Sequence, residues 1–203
     1  MSNSLTTIYF VRHGSVHNPR EVFYGRLPRF KLSAEGRRQA QAAAHFFEGK
    51  PIRAVITSPL LRARQTAQVI AAALGHTTVT VSTYLNELRS PFEGLPTREM
   101  DARNWDLYTG TPAPNEQPGD VFNRTLKFIR KARSAYPGQQ IIAVTHADVI
   151  VFLSLWANGY AVNFKNKSLI EHKQIAIQFP APASVTALSW DDKDMPVFEY
   201  FGG

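Results

Sequence analysis

Short apolar segments that alternate with helical patterns constrain the fold of this chain more than any other feature of its sequence. Residues 8–11 and 141–145 are almost wholly apolar and rich in β-branched side chains, which is typical of strands buried on both faces. Residues 53–57 predict a third strand, and residues 78–81 are a short β-prone run. Because helical patterns follow these strands, the order predicts a three-layer α/β/α sandwich with a mostly parallel sheet.

The helical patterns carry recognisable end signals. Ser33 is predicted to be the N-cap of one helix, and Ser58 to be the N-cap of another, with Pro59 as its first residue. Asp120 is predicted to cap a helix over residues 121–136. Residues 149–156 are apolar on all sides, which predicts a buried helix.

The length of 203 residues predicts one domain, spanning residues 1–203. Residues 184–190 and 197–201 predict two late strands. Residues 90–119 contain many Pro and Gly residues around a short helical pattern at 97–103. A long segment of this kind predicts a lid over a functional site.

The absence of cysteine excludes disulfides, thiolate metal sites and every cysteine-nucleophile mechanism. No apolar run approaches about 18 residues, so we expect no transmembrane helix. The first seven residues carry no charge, and the apolar stretch after them is too short for a signal peptide. We therefore expect a cytoplasmic protein.

Basic residues exceed acidic residues by 23 to 16, which gives a formal charge of +7. Such an excess suits nucleic acid, a membrane surface or small anions as partners. Five basic residues cluster in one helical segment: Arg124, Lys127, Arg130, Lys131 and Arg133. They lie opposite apolar positions and no nucleic-acid motif accompanies them, so we interpret them as a solvated helix face. We expect neither nucleic acid nor a membrane as a partner.

Two of the apolar strands end in a histidine. His13 follows the first strand and His146 follows the strand at 141–145, while the strand ending at residue 57 leads into a helix with Arg62 and Arg64. Ligands of open α/β sheets bind at the carboxyl ends of strands, so these residues are expected at one pocket. Histidines and arginines together favour a multiply charged anion, and phosphate fits best. Arg64 is expected to point elsewhere on the helix.

Five motifs occur in a fixed order along the chain. The first is Phe10-Val11-Arg12-His13-Gly14. The others are Gly25 with Leu32-Ser33 and Gly36, then residues 58–67, then Leu85-Asn86-Glu87, and then Val144-Thr145-His146. In sequence and order they resemble the motifs of the histidine phosphatase superfamily, also called the phosphoglycerate mutase-like family. The resemblance covers residues 8 to about 158 and implies the phosphoglycerate mutase-like fold.

The resemblance also implies a role for each motif residue. His13 is the expected nucleophile, which would form a phosphohistidine, and Glu87 is the expected general acid and base, in preference to Glu93. The residues expected to bind phosphate are Arg12, Arg62, His146 and Asn18. The residues expected at the substrate mouth are Tyr24, Gly25 and Arg26.

Two positions depart from the family pattern. Asn18 follows the nucleophile by five residues, where the family often has six, so the loop that carries it is altered. Ala147 follows the second histidine, where many relatives have glycine. Alanine is small, and we expect no loss of activity from it.

The motif set implies a phosphatase that hydrolyses small phosphomonoesters through a phosphohistidine, without a metal or a cofactor. Two alternatives stay open, a mutase of the phosphoglycerate type and a non-catalytic module that binds phosphorylated ligands. Mutases of the family carry a longer insertion before the second histidine, whereas residues 88–145 of this chain number only 58. A binding module would need the arginines but neither His13 nor Glu87.

Overall fold

One six-stranded sheet runs through the residues that the structure, a computed structural model, describes: 5–75, 78–191 and 195–202. The strands are β1 (Thr6–Arg12), β2 (Ile52–Thr57), β3 (Val79–Val81), β4 (Gln140–Thr145), β5 (Val185–Trp190) and β6 (Val197–Phe201). Their order across the sheet is β3-β2-β4-β1-β5-β6. The two strands that end near a histidine, β1 and β4, therefore lie side by side at the centre.

Six α-helices accompany the sheet in the described part of the chain. They are α1 (Ala34–Phe46), α2 (Leu61–Ala73), α3 (Thr97–Ala102), α4 (Pro118–Ala135), α5 (Ala147–Ala157) and α6 (Phe164–Glu171). A single 3₁₀ turn, Thr83–Leu85, follows β3. None of the helices in the described residues is both long and apolar enough to cross a membrane.

The two faces of β1 contribute to different cores, which explains its unbroken apolar sequence. Tyr9 and Val11 pack with side chains of α1 and α2. Ile8 and Phe10 point to the opposite face and pack with side chains of α4 and α5. Successive side chains of a strand alternate between faces, so a strand covered on both sides must be apolar throughout. The predicted three-layer α/β/α sandwich is confirmed.

The sheet is parallel on one side and antiparallel on the other. β3, β2, β4 and β1 are parallel neighbours, as predicted. β5 is antiparallel to β1, and β6 is antiparallel to β5. Only residues 191–196 separate β5 from β6, and a connection this short permits antiparallel pairing alone.

Two predicted helix starts are wrong by two or three residues. α2 begins at Leu61, because the backbone of Ser58 still donates to Val144 O at 2.9 Å and Leu60 is extended with ψ 141°. α4 begins at Pro118, with Gln117 as its N-cap. Asp120 lies inside the first turn, where its carboxylate accepts a 2.9 Å hydrogen bond from the backbone N–H of Gln117. The prediction that Ser33 caps α1 is confirmed by its 3.0 Å hydrogen bond from Gly36 N.

A third apolar cluster anchors the segment predicted as a lid. Met100, Leu107 and Tyr108 are buried against side chains of α5 and α6. α6 was not predicted from the sequence, since its eight residues contain only two buried positions, Lys167 and Ile170. The segment 90–119 is thus anchored to the rest of the molecule through its residues 100–108.

Candidate active site

The carboxyl ends of β1, β2 and β4 bring the sequence-predicted residues together. The backbone N–H of His13 donates to Thr145 O at 3.0 Å, so the ends of β1 and β4 are joined directly. The ring centroids of His13 and His146 are 5.3 Å apart. Arg62, in the first turn of α2, is fully buried beside both rings. A cluster of buried polar groups at this edge of the sheet is the expected place for a ligand.

The hydrogen bonds of His13 define its tautomer. Nδ1 lies 2.8 Å from Gly14 O, an oxygen that can only accept, so Nδ1 carries the proton. Nε2 accepts from Arg62 Nε at 3.1 Å, so Nε2 carries the lone pair. Burial, with the charges of Arg62 and Arg12, holds the pKa of His13 well below its usual value. The ring is therefore neutral, with a nucleophilic Nε2 directed at the cationic part of the site.

Arg62 connects the two histidines to the loop after β1. The Nη2 of Arg62 donates to Gly25 O at 2.8 Å and lies 3.3 Å from Nδ1 of His146. The guanidinium also stacks 4.7 Å from the ring centroid of Tyr24. At Gly25 the backbone has φ +36°, and an added Cβ would lie 2.6 Å from Cγ of Glu93. Glycine is thus needed at this position for the loop to approach Arg62.

Arg12 presents a second guanidinium to the site. Its Nη1 donates to Pro180 O at 2.7 Å, and its Cζ lies 5.6 Å from the ring centroid of Phe179. Within the described residues, its buried Nε has no hydrogen-bond acceptor. Buried donors normally have a partner, so this nitrogen is suited to an anionic ligand.

Glu87, rather than Glu93, lies with the histidines. One carboxylate oxygen of Glu87 is 3.4 Å from His146 Nδ1 and 3.8 Å from Arg62 Nη2. Burial, together with the negative charge of Asp148, raises the pKa of Glu87 to about 7. Glu93 instead accepts a 2.8 Å hydrogen bond from the backbone N–H of Arg26 and so supports the loop at Gly25. A carboxyl group with this pKa can both give and take a proton near neutral pH.

His146 is neutral and is held in place from both ring nitrogens. Its Nε2 lies 2.7 Å from Ser58 Oγ, a buried hydroxyl that we did not predict from the sequence. Burial, with the charge of Arg62, holds the pKa of His146 well below its usual value. The position of Ser58 before Pro59 predicts a helix cap, and only the fold, which places Ser58 beside β4, reveals the contact with His146.

Two residues predicted to contact the ligand have their side chains held by other groups. The amide of Asn18 donates to Val22 O at 2.8 Å and accepts from Val22 N at 3.3 Å, so it closes its own loop. The guanidinium of Arg26 donates to the carbonyl oxygen of Glu87 at 2.7 Å and to Glu116 at 2.8 Å. Tyr24 and Gly25, predicted at the mouth, do line the cavity.

The interpretation of Arg124 as part of a solvated face is wrong. The side chain of Arg124 is only 14% exposed and donates to the carbonyl oxygens of Tyr84 and Glu87 at 2.8 and 3.1 Å. Lys127, Arg130 and Lys131 are exposed, as predicted. The position of Arg124 in the helix indicates partial burial. It lies three residues after buried Val121 and four before buried Phe128, at the edge of the buried face.

A charged network that we did not predict forms part of the cavity wall. Lys167 is buried and donates to Glu171 at 2.7 Å, with Asp148 at 3.7 Å. Tyr108 donates a hydrogen bond to the Asp148 carboxylate. Its members lie on α5, α6 and the 90–119 segment, so the network ties these elements together beside Glu87.

The site opens into a cavity of about 590 Å³. Arg12, His13 and Glu87 line this cavity. The 90–119 segment contributes five further lining residues: Thr97, Asp101, Asn104, Trp105 and Leu107. This volume falls within the usual range for pockets that bind small molecules, about 300–1,000 Å³.

His13, Glu87 and His146 could in principle hold a metal ion, since one ligand atom of each lies within 4.8 Å of the others. Neutral histidines and a carboxylate are ligands that suit zinc. However, Arg62 lies within hydrogen-bond distance of both rings and 3.8 Å from Glu87. A permanent buried cation at this point opposes a dication and favours an anion.

Comparison with known proteins agrees with this geometry. The sequence profile of the histidine phosphatase superfamily (branch 1) matches residues 8–199. The uncharacterized protein Rv0525 of Mycobacterium tuberculosis is 38% identical over 161 residues, covering 76% of this chain and 79% of its own. The uncharacterized phosphatase PhoE of Bacillus subtilis is 25% identical over 201 residues and 98% of both chains.

Solved structures share the fold over almost the whole chain. Bacillus stearothermophilus YhfR superimposes with a TM-score of 0.79 and 22% identity, covering 97% of this chain and 96% of its own. The mycobacterial glucosyl-3-phosphoglycerate phosphatase Rv2419c gives a TM-score of 0.76 and 24% identity, covering 97% of both. At these identities the likeness establishes the fold alone.

Proposed function

The chain belongs to the histidine phosphatase superfamily as a phosphatase, and from this premise we propose that it hydrolyses small phosphomonoesters through a phosphohistidine, without a metal or a cofactor. One observation carries the proposal. The lone pair of a neutral His13 lies beside two arginines and a carboxyl group whose pKa is raised to about 7. These are the nucleophile, the charge stabilisation and the proton donor that phosphoryl transfer requires.

In the first step, Nε2 of His13 attacks phosphorus while the bond to the leaving oxygen breaks. Glu87 gives its proton to that oxygen, so the product leaves as a neutral alcohol. Arg12 and Arg62 neutralise the phosphoryl oxygens, and His146 contributes to the same cradle. Arg62 Nε, which faces His13 Nε2, donates to a phosphoryl oxygen once substrate is bound.

In the second step, water attacks the phosphohistidine and the bond between phosphorus and Nε2 breaks. Glu87, now a carboxylate, takes the proton from water. Inorganic phosphate leaves, and both His13 and Glu87 regain their starting protonation states. The Gly14 carbonyl supports the cationic ring of the intermediate, because it accepts from Nδ1–H throughout.

The outer parts of the site follow from the same proposal. We propose that residues 90–119 serve as a lid, which the five cavity-lining residues of that segment support. Tyr24 and Gly25 would form the mouth. Asn18 would join the phosphate site only by releasing Val22. A single functional domain over residues 1–203 and a cytoplasmic location stay predictions.

We expect hydrolysis of p-nitrophenyl phosphate to proceed at an unchanged rate in excess EDTA. The positive charge that the reaction needs comes from Arg12 and Arg62, which a chelator does not remove. The measurement is steady-state release of p-nitrophenol and inorganic phosphate before and after chelation and metal addition. Activity that disappears with EDTA and returns with a metal would contradict metal independence.

The same assays separate the two alternative functions. Transfer of the phosphoryl group to a second substrate group instead of water would favour the mutase. Phosphate binding without turnover would favour the binding module.

We expect Glu87→Gln to slow alkyl phosphates by about 10²–10⁴-fold and aryl phosphates with acidic leaving groups by less than about tenfold. A good leaving group departs without a proton, so the lost acid matters little.

In the wild type, kcat/KM for an alkyl phosphate should fall as pH rises through about 7, because Glu87 then loses the proton that it must donate. This basic limb should vanish in the variant. Equal losses on both substrates would assign the acid elsewhere, and Glu93→Gln serves as the comparison.

A further inference from the structure

The backbone of Glu87 is held by two arginines from distant parts of the chain. Its carbonyl oxygen accepts from Arg26 Nε at 2.7 Å and from Arg124 Nη2 at 3.1 Å. Arg26 lies in the loop after β1, and Arg124 lies on α4. A carbonyl oxygen has two lone pairs, so both are used here by charged donors, which form stronger hydrogen bonds than neutral ones.

Glu116 joins the two arginines to each other. Its Oε2 accepts from Arg26 Nη2 at 2.8 Å, and its Oε1 accepts from Arg124 Nε at 2.8 Å. The backbone N–H of Arg89 adds a 2.9 Å hydrogen bond to Oε2. All three side chains are at most one-fifth exposed. We call Glu116, Arg26 and Arg124 the Glu116 clamp.

Glu116 is what allows two guanidinium groups to share one carbonyl oxygen. Two cations so close repel each other in a partly buried place, and the carboxylate between them supplies the opposite charge. Burial alone would raise the pKa of Glu116, but the hydrogen bonds from Arg124 hold it below its usual value, so the group is charged. The other carboxylate whose charge acts on both arginines is that of Glu87 itself. Without Glu116, the arginines lose the carboxylate that they share and are drawn toward the catalytic carboxyl.

We propose that Glu116 is a positioning residue for the general acid: through Arg26 and Arg124 it fixes the peptide of Glu87 and therefore the direction of its carboxyl group. This rests on the proposed function of Glu87. Glu116 lies near the end of the 90–119 segment, so the clamp also ties that segment to the acid. Glu116 acts through Glu87 and touches neither the phosphate cradle nor the nucleophile.

The test compares Glu116→Gln with the wild type on two substrates. For glycerol 2-phosphate we expect kcat/KM to fall by about tenfold to a hundredfold, since a displacement of about 1 Å costs about a hundredfold. For 2,4-dinitrophenyl phosphate we expect a change within about twofold, because this leaving group needs no acid. Inhibition by inorganic phosphate should be unchanged, since the cradle is intact. Glu35→Gln, which breaks the exposed pair with Arg38, is the matched control and should alter neither substrate.

Three further variants keep the test decisive. In a Glu87→Gln background, Glu116→Gln should cause no additional loss on glycerol 2-phosphate, because it acts through a group already removed. Glu116→Asp, which keeps the charge, should restore most of the alkyl phosphate activity. If Glu116→Gln does not fold, Arg26→Lys should give the same difference between the two substrates. Equal losses on both substrates, or an additive loss in the double variant, would overturn the proposal.

A crystal structure of Glu116→Gln separates this proposal from the proposed function. We expect the Glu87 carboxyl to move away from His146 Nδ1, from which it lies 3.4 Å in the wild type. If the wild type hydrolyses no phosphomonoester, the proposed function fails, and the clamp is judged on this displacement. An unmoved Glu87 in the variant would overturn the clamp whatever the activity.

Discussion

Replacement of His13 by alanine is expected to lower kcat by at least about 10⁴-fold and to abolish the covalent intermediate. His13 follows β1, where backbone hydrogen bonds to β4 hold it rigidly, and its Nε2 lone pair faces Arg62. The ring of His146 is held differently, since its Nε2 lies 2.7 Å from Ser58 Oγ and its Nδ1 lies 3.4 Å from the Glu87 carboxylate. The arginines remain in the variant, so phosphate binding should persist while turnover is lost.

Quenching labelled substrate without acid gives the direct measurement. The wild type should show a phosphoprotein that is stable to base and labile to acid, as expected of phosphohistidine, and His13→Ala should show none. Label that persists in the variant, or that maps to His146, would assign the nucleophile to another residue. Near-normal turnover by His13→Ala would reject the phosphohistidine mechanism for this chain.

The second large effect is expected from Arg62→Lys, with a loss of about 10²–10³-fold in kcat. Arg62 offers donors to His13, His146 and the Gly25 carbonyl from one planar group, and a lysine ammonium cannot reproduce this fork. The positive charge is kept, so the loss would measure geometry rather than charge.

Arg64→Lys is the matched control for Arg62→Lys. Arg64 lies on the same helix two residues later and is exposed, so the exchange should leave kcat within about twofold. Thermal melting of both variants separates a loss of catalysis from a loss of folding, because Arg62 is fully buried. Comparable activity of the two variants would show that the fork of Arg62 has no role in turnover.

The parts of the site that lie at strand ends could be predicted from the sequence. Apolar runs located β1 and β4, and the residues that follow them, His13 and His146, then had to meet at one edge of a parallel sheet. The resemblance to a known family added Glu87 and gave Arg62 its role in binding phosphate. The antiparallel strand β5 beside β1 was not specified, since an apolar segment alone does not state its direction.

The groups that hold the acid could not be predicted, because their partners are set by the path of loops. Glu116 is an ordinary acidic residue in a Pro-rich segment, and nothing near it in sequence indicates Arg26 or Arg124. Arg124 is expected in solvent because the basic cluster lies opposite apolar positions, although its spacing from Val121 and Phe128 places it at the edge of the buried face. Ser58 is expected to be a helix cap because Pro59 follows it. Local patterns describe one element, whereas these contacts join three or four.

The pairing of β1 with β4 has a consequence for how activity is acquired during folding. The two strands are about 130 residues apart in sequence, yet their hydrogen bonds place both histidines. Closing so large a loop is slow, and it occurs only when the centre of the sheet assembles. The active site is therefore complete only when the core is complete. A chain that ends between the two strands lacks β4 and His146 and has no assembled site. Local unfolding of the edge strand β6 leaves the histidines in place, because β5 lies between β6 and β1. Loss of activity is therefore expected to follow global, cooperative unfolding.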